Sequence, residues 1–376
     1  MSIGLCEAAA NLPSVLKFCA TGKMRSHSRL LGSSAFIDSA TGAAAHVDES
    51  PSAIIEKTNP RNPNKTHRMS ESLIIATRES PLALAQANHV KAELESVVPG
   101  ITVKLLGMTT RGDQILDKPL AKVGGKGLFI KELEVAMQEG HAHLAVHSLK
   151  DVPMVLPKGF ALAAILQRED ARDAFVSNRF ATLAEMPLGA VVGTSSLRRA
   201  SVLKRAYPGL NFQPVRGNVN TRLAKLDGGE FDGIILAAAG LIRLGITSRI
   251  THRISIEESL PAPGQAAIGI EIVSDDEDTA EIVSELDHAP TAIACIAERM
   301  VSRLLGGSCA LPLAAHADFV DGDQPLRLRA FVANLDGSVY LTAEAFGTPD
   351  APEALGEIVA DKLKVQGADK IIESLK

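Results

Sequence analysis

From Leu73 onward the apolar positions change their period repeatedly, and the changes mark out alternating strands and helices. Leu73 to Ala76 is a short continuous apolar run, the pattern of a buried strand. Ser80 and Pro81 cap and open a helix whose apolar positions Ala83, Ala87, Val90, Leu94 and Val97 share one face, and Pro99-Gly100 ends it. Ile101, Val103 and Leu105 then alternate as a second strand. Gly124 to Gly127 open a second helix that runs through Phe129, Leu133 and Ala136 to Gly140, and Leu144 to Val146 reads as a third strand. This βαβαβ order predicts a largely parallel sheet.

The pattern restarts after Asp173. Ala190 to Gly193 is a strand, Thr194, Ser195 and Ser196 cap a helix to Tyr207, and Pro208-Gly209 stops it. Phe212 to Val215, a helix from Val219 to Leu226 and a strand from Ile234 to Ala237 complete a second unit of similar size. Two such units predict two lobes with a cleft between them, and interfaces of this kind are preferred ligand sites. A third region from Ala289 begins with a helix, continues with alternating strands near Leu326 to Val332 and Val339 to Ala345, and closes on an amphipathic helix, Glu353 to Leu363. The expected fold class is α/β, two lobes around a cleft plus a small α+β C-terminal domain.

Composition narrows the chemistry. The 376 residues allow two or three domains with a sizeable core, and 46% of them are hydrophobic. No apolar run approaches the roughly 20 residues that a membrane span needs. A net charge of −5, no Trp and only 2 Tyr give neither the electrostatic footprint nor the stacking platform of a nucleic-acid binder. Residues 1–70 differ from the rest: eight Lys and Arg stand against five acids there, with many Ser and Ala and no sustained period. Lys17, Lys23, Arg25 and Arg29 within this stretch read as an organelle transit peptide, so a plastid address is expected, with the mitochondrion as the alternative. Of four cysteines, Cys6 and Cys19 lie in this leader, which leaves Cys295 and Cys309 and excludes a disulfide framework or a zinc site by spacing. Cys295 sits in a helical run and reads as a small buried hydrophobe. Cys309 follows Gly306-Gly307-Ser308 and precedes Pro312, a loop context in which a sulfur is open to a ligand.

The segment Ala145 to Pro153 brings His147, Ser148, Lys150 and Asp151 to the end of a strand, where open α/β sheets hold their ligands. Alone, it reads more simply as a turn whose Asp and Ser bond the local backbone. Its setting is more telling. Arg78, Lys126, Lys150, Arg198, Arg199, Arg216, Arg222 and Arg243 all fall just after a strand or in the first turns of a helix, in a chain that is otherwise acidic. Guanidinium forks and helix N-termini match carboxylates and phosphates, so the implied ligand is polyanionic. Gly124-Gly125-Lys126-Gly127 lacks the P-loop spacing, which argues against nucleotide hydrolysis.

A set of motifs, in order, covers the chain from about Leu73 to its C-terminus. Arg78-Glu-Ser-Pro-Leu-Ala-Leu-Ala-Gln86, Thr110-Arg-Gly-Asp113, Leu120 to Phe129, Ala145 to Pro153, Arg168-Glu-Asp-Ala-Arg-Asp-Ala-Phe175, Gly193-Thr-Ser-Ser-Leu-Arg-Arg199, Arg216-Gly-Asn-Val-Asn-Thr-Arg222 and Gly307-Ser-Cys309 together resemble the hydroxymethylbilane synthases, also called porphobilinogen deaminases. The resemblance implies a transferase that condenses four porphobilinogen molecules with loss of ammonia and releases linear hydroxymethylbilane for haem or chlorophyll. It also implies two lobes built like periplasmic binding proteins, residues 71–167 with 267–285 and residues 172–260, a third domain at 289–376, and a monomer.

The family's covalent dipyrromethane cofactor would sit on Cys309, and Asp151 matches its catalytic carboxylate. By the same resemblance Lys126, Ser148, Lys150, Asp151, Thr194, Ser196, Arg198 and Arg199 hold the cofactor, and Arg78, Ser80, Gln86, Arg216, Arg222 and Arg243 receive incoming rings. Four positions depart from the family pattern. Pro263 and Ala266 stand where a β-branched residue and a glycine are expected, Leu149 where methionine is usual, and Gly306 where an acid is frequent. Two rival readings are a non-catalytic two-lobed anion-binding module and a thiol enzyme using Cys309 with His147 or His316 as base, although neither histidine carries a triad signature.

Overall fold

The first sheet begins with two parallel strands, β1 (Ser72–Arg78) and β2 (Thr102–Met108), paired from Ser72 opposite Thr102 to Arg78 opposite Met108. The computed structural model describes residues 72–114, 129–306, 311–320 and 325–375. Helix α1 (Pro81–Val97) joins β1 to β2, with the Ser80 hydroxyl accepting from the Ala83 N–H at 3.3 Å and Pro81 in the first turn, as the sequence predicts. Its buried face, Ala87, Val90 and Leu94, packs with Leu73, Ile75, Val103 and Leu144 in the core of this lobe. A short turn α2 (Arg111–Gln114) follows β2, and α3 (Lys131–Gln138) leads into β3 (Leu144–Ser148). The second helix thus starts later than expected in the described residues, with Phe129 and Ile130 in a turn before it, and Gly124 to Gly127 lie outside them.

Strand β4 (Phe160–Ile165) ends the first pass through this sheet, and the chain then crosses into a second one. That sheet contains β5 (Asp173–Val176), β6 (Val191–Gly193), β7 (Asn211–Gln213), β8 (Gly233–Ala237) and β9 (His252–Ile254), in the spatial order β7-β6-β8-β5-β9. Helices α4 (Leu197–Ala206), α5 (Val219–Asp227) and α6 (Ala238–Arg243) connect them. The chain then returns to the first sheet as β10 (Ile268–Val273), inserted between β3 and β4 to give β2-β1-β3-β10-β4.

Neither sheet is all parallel. β10 runs antiparallel to β3 and β4, and β5 antiparallel to β8 and β9. The reason is where each crossing segment enters. Asp173, the first residue of β5, lies opposite Ala237 at the C-terminal end of β8, and Ile268 opens β10 opposite Ser148 at the end of β3. A chain arriving at the carboxyl end of parallel strands can only run back against them.

Helix α7 (Glu277–Ser284) packs on the first lobe, and α8 (Ala289–Leu304) opens the third region. There β11 (Leu313–Phe319), β12 (Leu326–Ala333) and β13 (Tyr340–Gly347) form an antiparallel sheet in sequence order. Helices α8, α9 (Pro352–Val365) and α10 (Ala368–Ser374) supply Ala297, Val301, Leu355, Val359, Leu363 and Ile372 to its core. The fold is therefore two α/β lobes and a small α+β domain. No helix among the described residues is long and apolar enough to cross a membrane.

Two buried carboxylates hold the crossing segments. Asp173 accepts from Arg198 Nη2 at 2.9 Å, Arg199 Nη2 at 2.7 Å, Ser259 Oγ at 2.7 Å and Gln265 Nε2 at 2.9 Å. Glu298 of α8 takes both Arg168 Nη atoms at 2.7 Å, the Gly264 N–H at 2.8 Å and the Ala317 N–H of β11 at 2.8 Å. In the returning segment Ala266 holds φ at 72°, the left-handed region, which gives a physical reason for the glycine expected there. Its carbonyl accepts from the Glu169 N–H at 3.2 Å and from Arg243 at 2.6 Å, bonds that hold it against this strain.

Removing one partner of such a buried pair strands the other charge. Glu298→Ala leaves Arg168 without its carboxylate and the Gly264 and Ala317 N–H groups without an acceptor, and is expected to cost about 3–5 kcal/mol in urea denaturation. A loss below about 1 kcal/mol would show that water replaces Glu298 at no cost.

Candidate functional site

Asp151 stands on a single 3-10 turn, Leu149 to Asp151, directly after β3. Leu149 makes that turn: its side chain is fully buried among Ile130, Val152, Ile165, Ala292 and Cys295, and its N–H donates to Ala267 O at 3.0 Å. The place usual for methionine is thus filled by another apolar side chain. Gly264, at a φ of 71°, lets the returning segment pass over it, since a Cβ there would lie 3.0 Å from Leu149 Cγ. Lys150 is half-buried and Asp151 is exposed.

The charges around this turn are mostly positive. Burial pushes the Lys150 ammonium down to about 8, Arg199 and Arg198 push the same way, and Asp151 and Asp173 oppose them. Arg222 is lowered to about 10 by burial first, then by Arg199 and Arg216, with Asp151 pulling it back. The carboxylate of the first lobe and the guanidinium groups of the second therefore feel one another across the cleft. Like charges crowd one another here at a cost in free energy, and a bound polyanion relieves it. Arg216 has no carboxylate within ion-pair distance among the described residues, and Arg222 uses its Nε on Gly217 O at 2.8 Å. This donor set fits a ligand that carries several carboxylates.

The other expected contacts fall into different roles. Arg198 and Arg199 are buried and both turned on to Asp173, and Arg198 also donates to Leu260 O at 2.6 Å, so much of their hydrogen bonding anchors the second crossing. Ser196 caps α4, accepting from the Arg199 N–H at 3.4 Å, and Thr194 Oγ1 accepts from the Ser196 N–H at 3.3 Å. Ser80 caps α1. Gln86 Nε2 donates to Ser148 Oγ at 2.9 Å, which joins α1 to the end of β3. Arg78 pairs with Asp113 through Nε, 3.1 Å from Oδ2, and lies over the Phe129 ring at 4.2 Å. Arg243, in the last turn of α6, is lowered to about 10 by burial, with Glu169 opposing. Lys126 and Cys309 lie outside the described residues, as does the leader, residues 1–70.

Sequence reasoning did not single out the acids that organise these cations. Asp113 and Asp173 stood inside quoted motifs but were not assigned, because nothing in local spacing says that an acid is buried. Asp113 is lowered although burial acts to raise it: Arg78 and Thr110 hydrogen-bond its ionised form. His147, left as a strand-end structural histidine, meets Glu271 of β10 at 2.7 Å with both side chains buried. His316 sits 3.4 Å from Glu298. Each histidine thus faces a buried carboxylate.

The two α/β lobes thus bring the Asp151 carboxylate together with Lys150, Arg216 and Arg222, a donor set suited to a polyanion. The chain matches the family profile described as "Porphobilinogen deaminase, dipyromethane cofactor binding domain" over residues 73–281 and "Porphobilinogen deaminase, C-terminal domain" over residues 292–365. Porphobilinogen deaminase from Ralstonia nicotianae is 60% identical over 306 residues, covering 81% of this chain and 91% of its own. That from Chromobacterium violaceum is 56% identical over 305 residues, covering 81% and 98%. That from Thiobacillus denitrificans is 57% identical over 304 residues, covering 81% and 99%. The chain belongs to the porphobilinogen deaminase family, transferases that condense porphobilinogen into hydroxymethylbilane in tetrapyrrole biosynthesis and carry a dipyrromethane cofactor.

Among solved structures, the VFT2 domain of BvgS from Bordetella pertussis aligns with a TM-score of 0.36 at 13% identity, over 58% of this chain and 87% of its own. A nutrient binding protein from Burkholderia cenocepacia bound to methionine gives 0.36 at 13%, over 56% and 89%. At these TM-scores the likeness carries no argument. The plastid address expected from the leader, and its mitochondrial alternative, are corrected by the relatives. All three are bacterial enzymes, and bacteria have neither organelle. A basic, Ser-rich stretch is a compositional signal, and composition alone did not specify an address.

Beneath the turn, Glu134 of α3 is buried beside Glu271 and His147. Burial first, then the Glu271 charge, pushes its carboxyl up from 4.5 to about 7, while His147 and Lys131 oppose the shift. The folded chain therefore holds this proton where the unfolded chain releases it, so this contribution is present below pH 4.5 and is lost as pH rises through about 7. Glu134→Gln is expected to flatten the decline of stability across that window, measured by urea denaturation at stepped pH. An unchanged slope would remove Glu134 as its source.

Proposed function

We propose that this chain carries its dipyrromethane as a thioether on Cys309 and uses Asp151 to stabilise positive charge as each porphobilinogen reacts. The observation that supports Asp151 best is its exposure at the end of β3 beside Lys150 and Arg222, a carboxylate held out to the cleft among cations. When bound, the dipyrromethane supplies the nucleophilic α-carbon of a terminal pyrrole, to which successive units add.

The substrate's aminomethyl group, protonated on nitrogen, leaves as ammonia with the C–N electron pair, and the pyrrole that remains is cationic. Asp151 faces that charge and the pyrrole N–H, so its attraction grows as the bond breaks, which is where electrostatic stabilisation acts on rate. Each added ring brings an acetate and a propionate. Arg216 and Arg222 offer partners for these, with Arg78, Ser80, Gln86 and Arg243 nearer the path of incoming rings. Lys126, Ser148, Lys150, Thr194, Ser196, Arg198 and Arg199 form the cofactor's side of the cleft in this reading. The buried fraction of the arginines strengthens each carboxylate contact by keeping water away.

The same reading divides the chain into residues 71–167 with 267–285, residues 172–260 and residues 289–376, and takes it to act as a monomer. The alternative, a non-catalytic anion-binding module, shares the arginines but has no use for Asp151.

The full-length protein is expected to show a mass excess of two linked pyrroles, absent in Cys309→Ala; an active protein of unmodified mass would sink the attachment. Asp151→Ala should keep its fold and that mass while turnover falls by about 10²–10³-fold, the usual size of a lost electrostatic stabiliser. Turnover within a few-fold of the parent would remove Asp151 from this role.

A further inference from the structure

Arg299 is a cation placed where stability alone does not call for one. It lies on α8 in the third domain, with Nη2 donating to Pro153 O at 2.6 Å and Nη1 to Val152 O at 3.2 Å and Leu149 O at 3.5 Å. No carboxylate pairs with it among the described residues, and burial pushes its guanidinium down to about 10, with Cys295 opposing. Desolvating a charge against neutral carbonyls is costly, and an apolar side chain of similar length would pack at this interface without that cost.

All three carbonyls belong to one short segment. They bracket Lys150 and Asp151, Leu149 on one side and Val152 and Pro153 on the other. The planar fork of one guanidinium thus grips both flanks of the turn, a geometry that a lysine ammonium cannot reproduce. The contact is also seated: Ala292 and Cys295, on the same helix, pack with Leu149 and Val152. Helix α8 ends at Leu304, five residues before Cys309 in the sequence.

We propose that Arg299 is a positioning residue for Asp151, locking the Leu149 to Pro153 turn on to α8 so that the carboxylate is held in register with the helix that leads to the cofactor-bearing cysteine. The inference rests on the catalytic reading of Asp151 given above. The gain is precision. A carboxylate on a free turn at a lobe edge would wander with the turn, and a misplacement of about 1 Å is enough to cost on the order of 10²-fold in rate.

The test compares full-length Arg299→Met, Arg299→Lys and Asp151→Ala with the parent. Arg299→Met is expected to retain the dipyrromethane mass and a cooperative melt, to lose about ten- to hundredfold in kcat with KM changed less than about threefold, and to recover part of the rate in millimolar guanidinium. Amide exchange in peptide 149–153 should quicken while that of α8 does not. Parental kcat in folded Arg299→Met, a rate loss matched by loss of folded protein, or loss of the dipyrromethane mass would each overturn the proposal. If Arg299→Met does not fold, Arg299→Lys is judged by the same criteria, and failure of both to fold overturns it as well, because Arg299 then serves the fold. A near-parental Asp151→Ala would instead sink the catalytic reading itself. Inactive Asp151→Ala beside fully active Arg299→Met sinks only the role of Arg299.

Discussion

The buried pairing of Asp173 with Arg198 and Arg199 is the interaction on which the arrangement of the lobes depends. Asp173 is the first residue after the outward crossing, and Gln265, which donates to it, lies at the end of the return. Ser259 joins from the approach to that return. One carboxylate therefore collects both strands of the connection and the first turn of α4. Glu298 repeats the device one layer away, tying Arg168 and Gly264 to the third domain. Each acid is lowered although burial acts to raise it, because the arginines more than offset the desolvation. A buried ion pair is weak evidence for stability, and breaking one by removing a partner is costly. Here the segments that converge are those between which two independent sheets would otherwise be free to shift.

The same charges set the electrostatics of the cleft. Arg198 and Arg199 are only partly neutralised, since two guanidinium groups share one carboxylate, and the surplus is felt by Lys150 and Arg222. Structural anchoring and ligand attraction are therefore not separate sets of residues. An arginine that holds the crossing on one edge still projects positive potential from the other, and the division between residues that hold a cofactor and residues that hold the fold is one of degree. This follows from the guanidinium's five donors, which one carboxylate cannot exhaust.

How much of this was legible in the sequence follows the range of the forces involved. The strands β1, β3 and β8 and the helices α1, α4 and α5 are written in local period and caps, and Ser80 and Ser196 do cap helices. The reversed strands β5 and β10 were not legible as such, because antiparallel placement depends on where a crossing enters a sheet, which no local pattern records. The site proposed for a polyanion was visible as repeated placement of Arg after strands. Its acids were not, since Asp173 and Glu298 look like surface residues until tertiary structure buries them. Arg299 carried no signal at all: its partners are backbone carbonyls more than a hundred residues away, and carbonyls are the same in every sequence. The left-handed backbone at Ala266 was half legible, because an alanine in place of an expected glycine marked the position without giving the angle.

An exposed carboxylate on a one-turn helix can serve the role proposed for Asp151 only if something else makes the turn rigid. The chain meets that condition from three sides. Leu149 is clamped from below by the returning segment, the Leu149 N–H is spent on Ala267, and the carbonyls on both flanks are spent on Arg299. These bonds tie down both flanks of the turn. Asp151 can then be both solvent-facing and fixed, which is what a site must provide if successive pyrroles are to be met by the same charge at the same place.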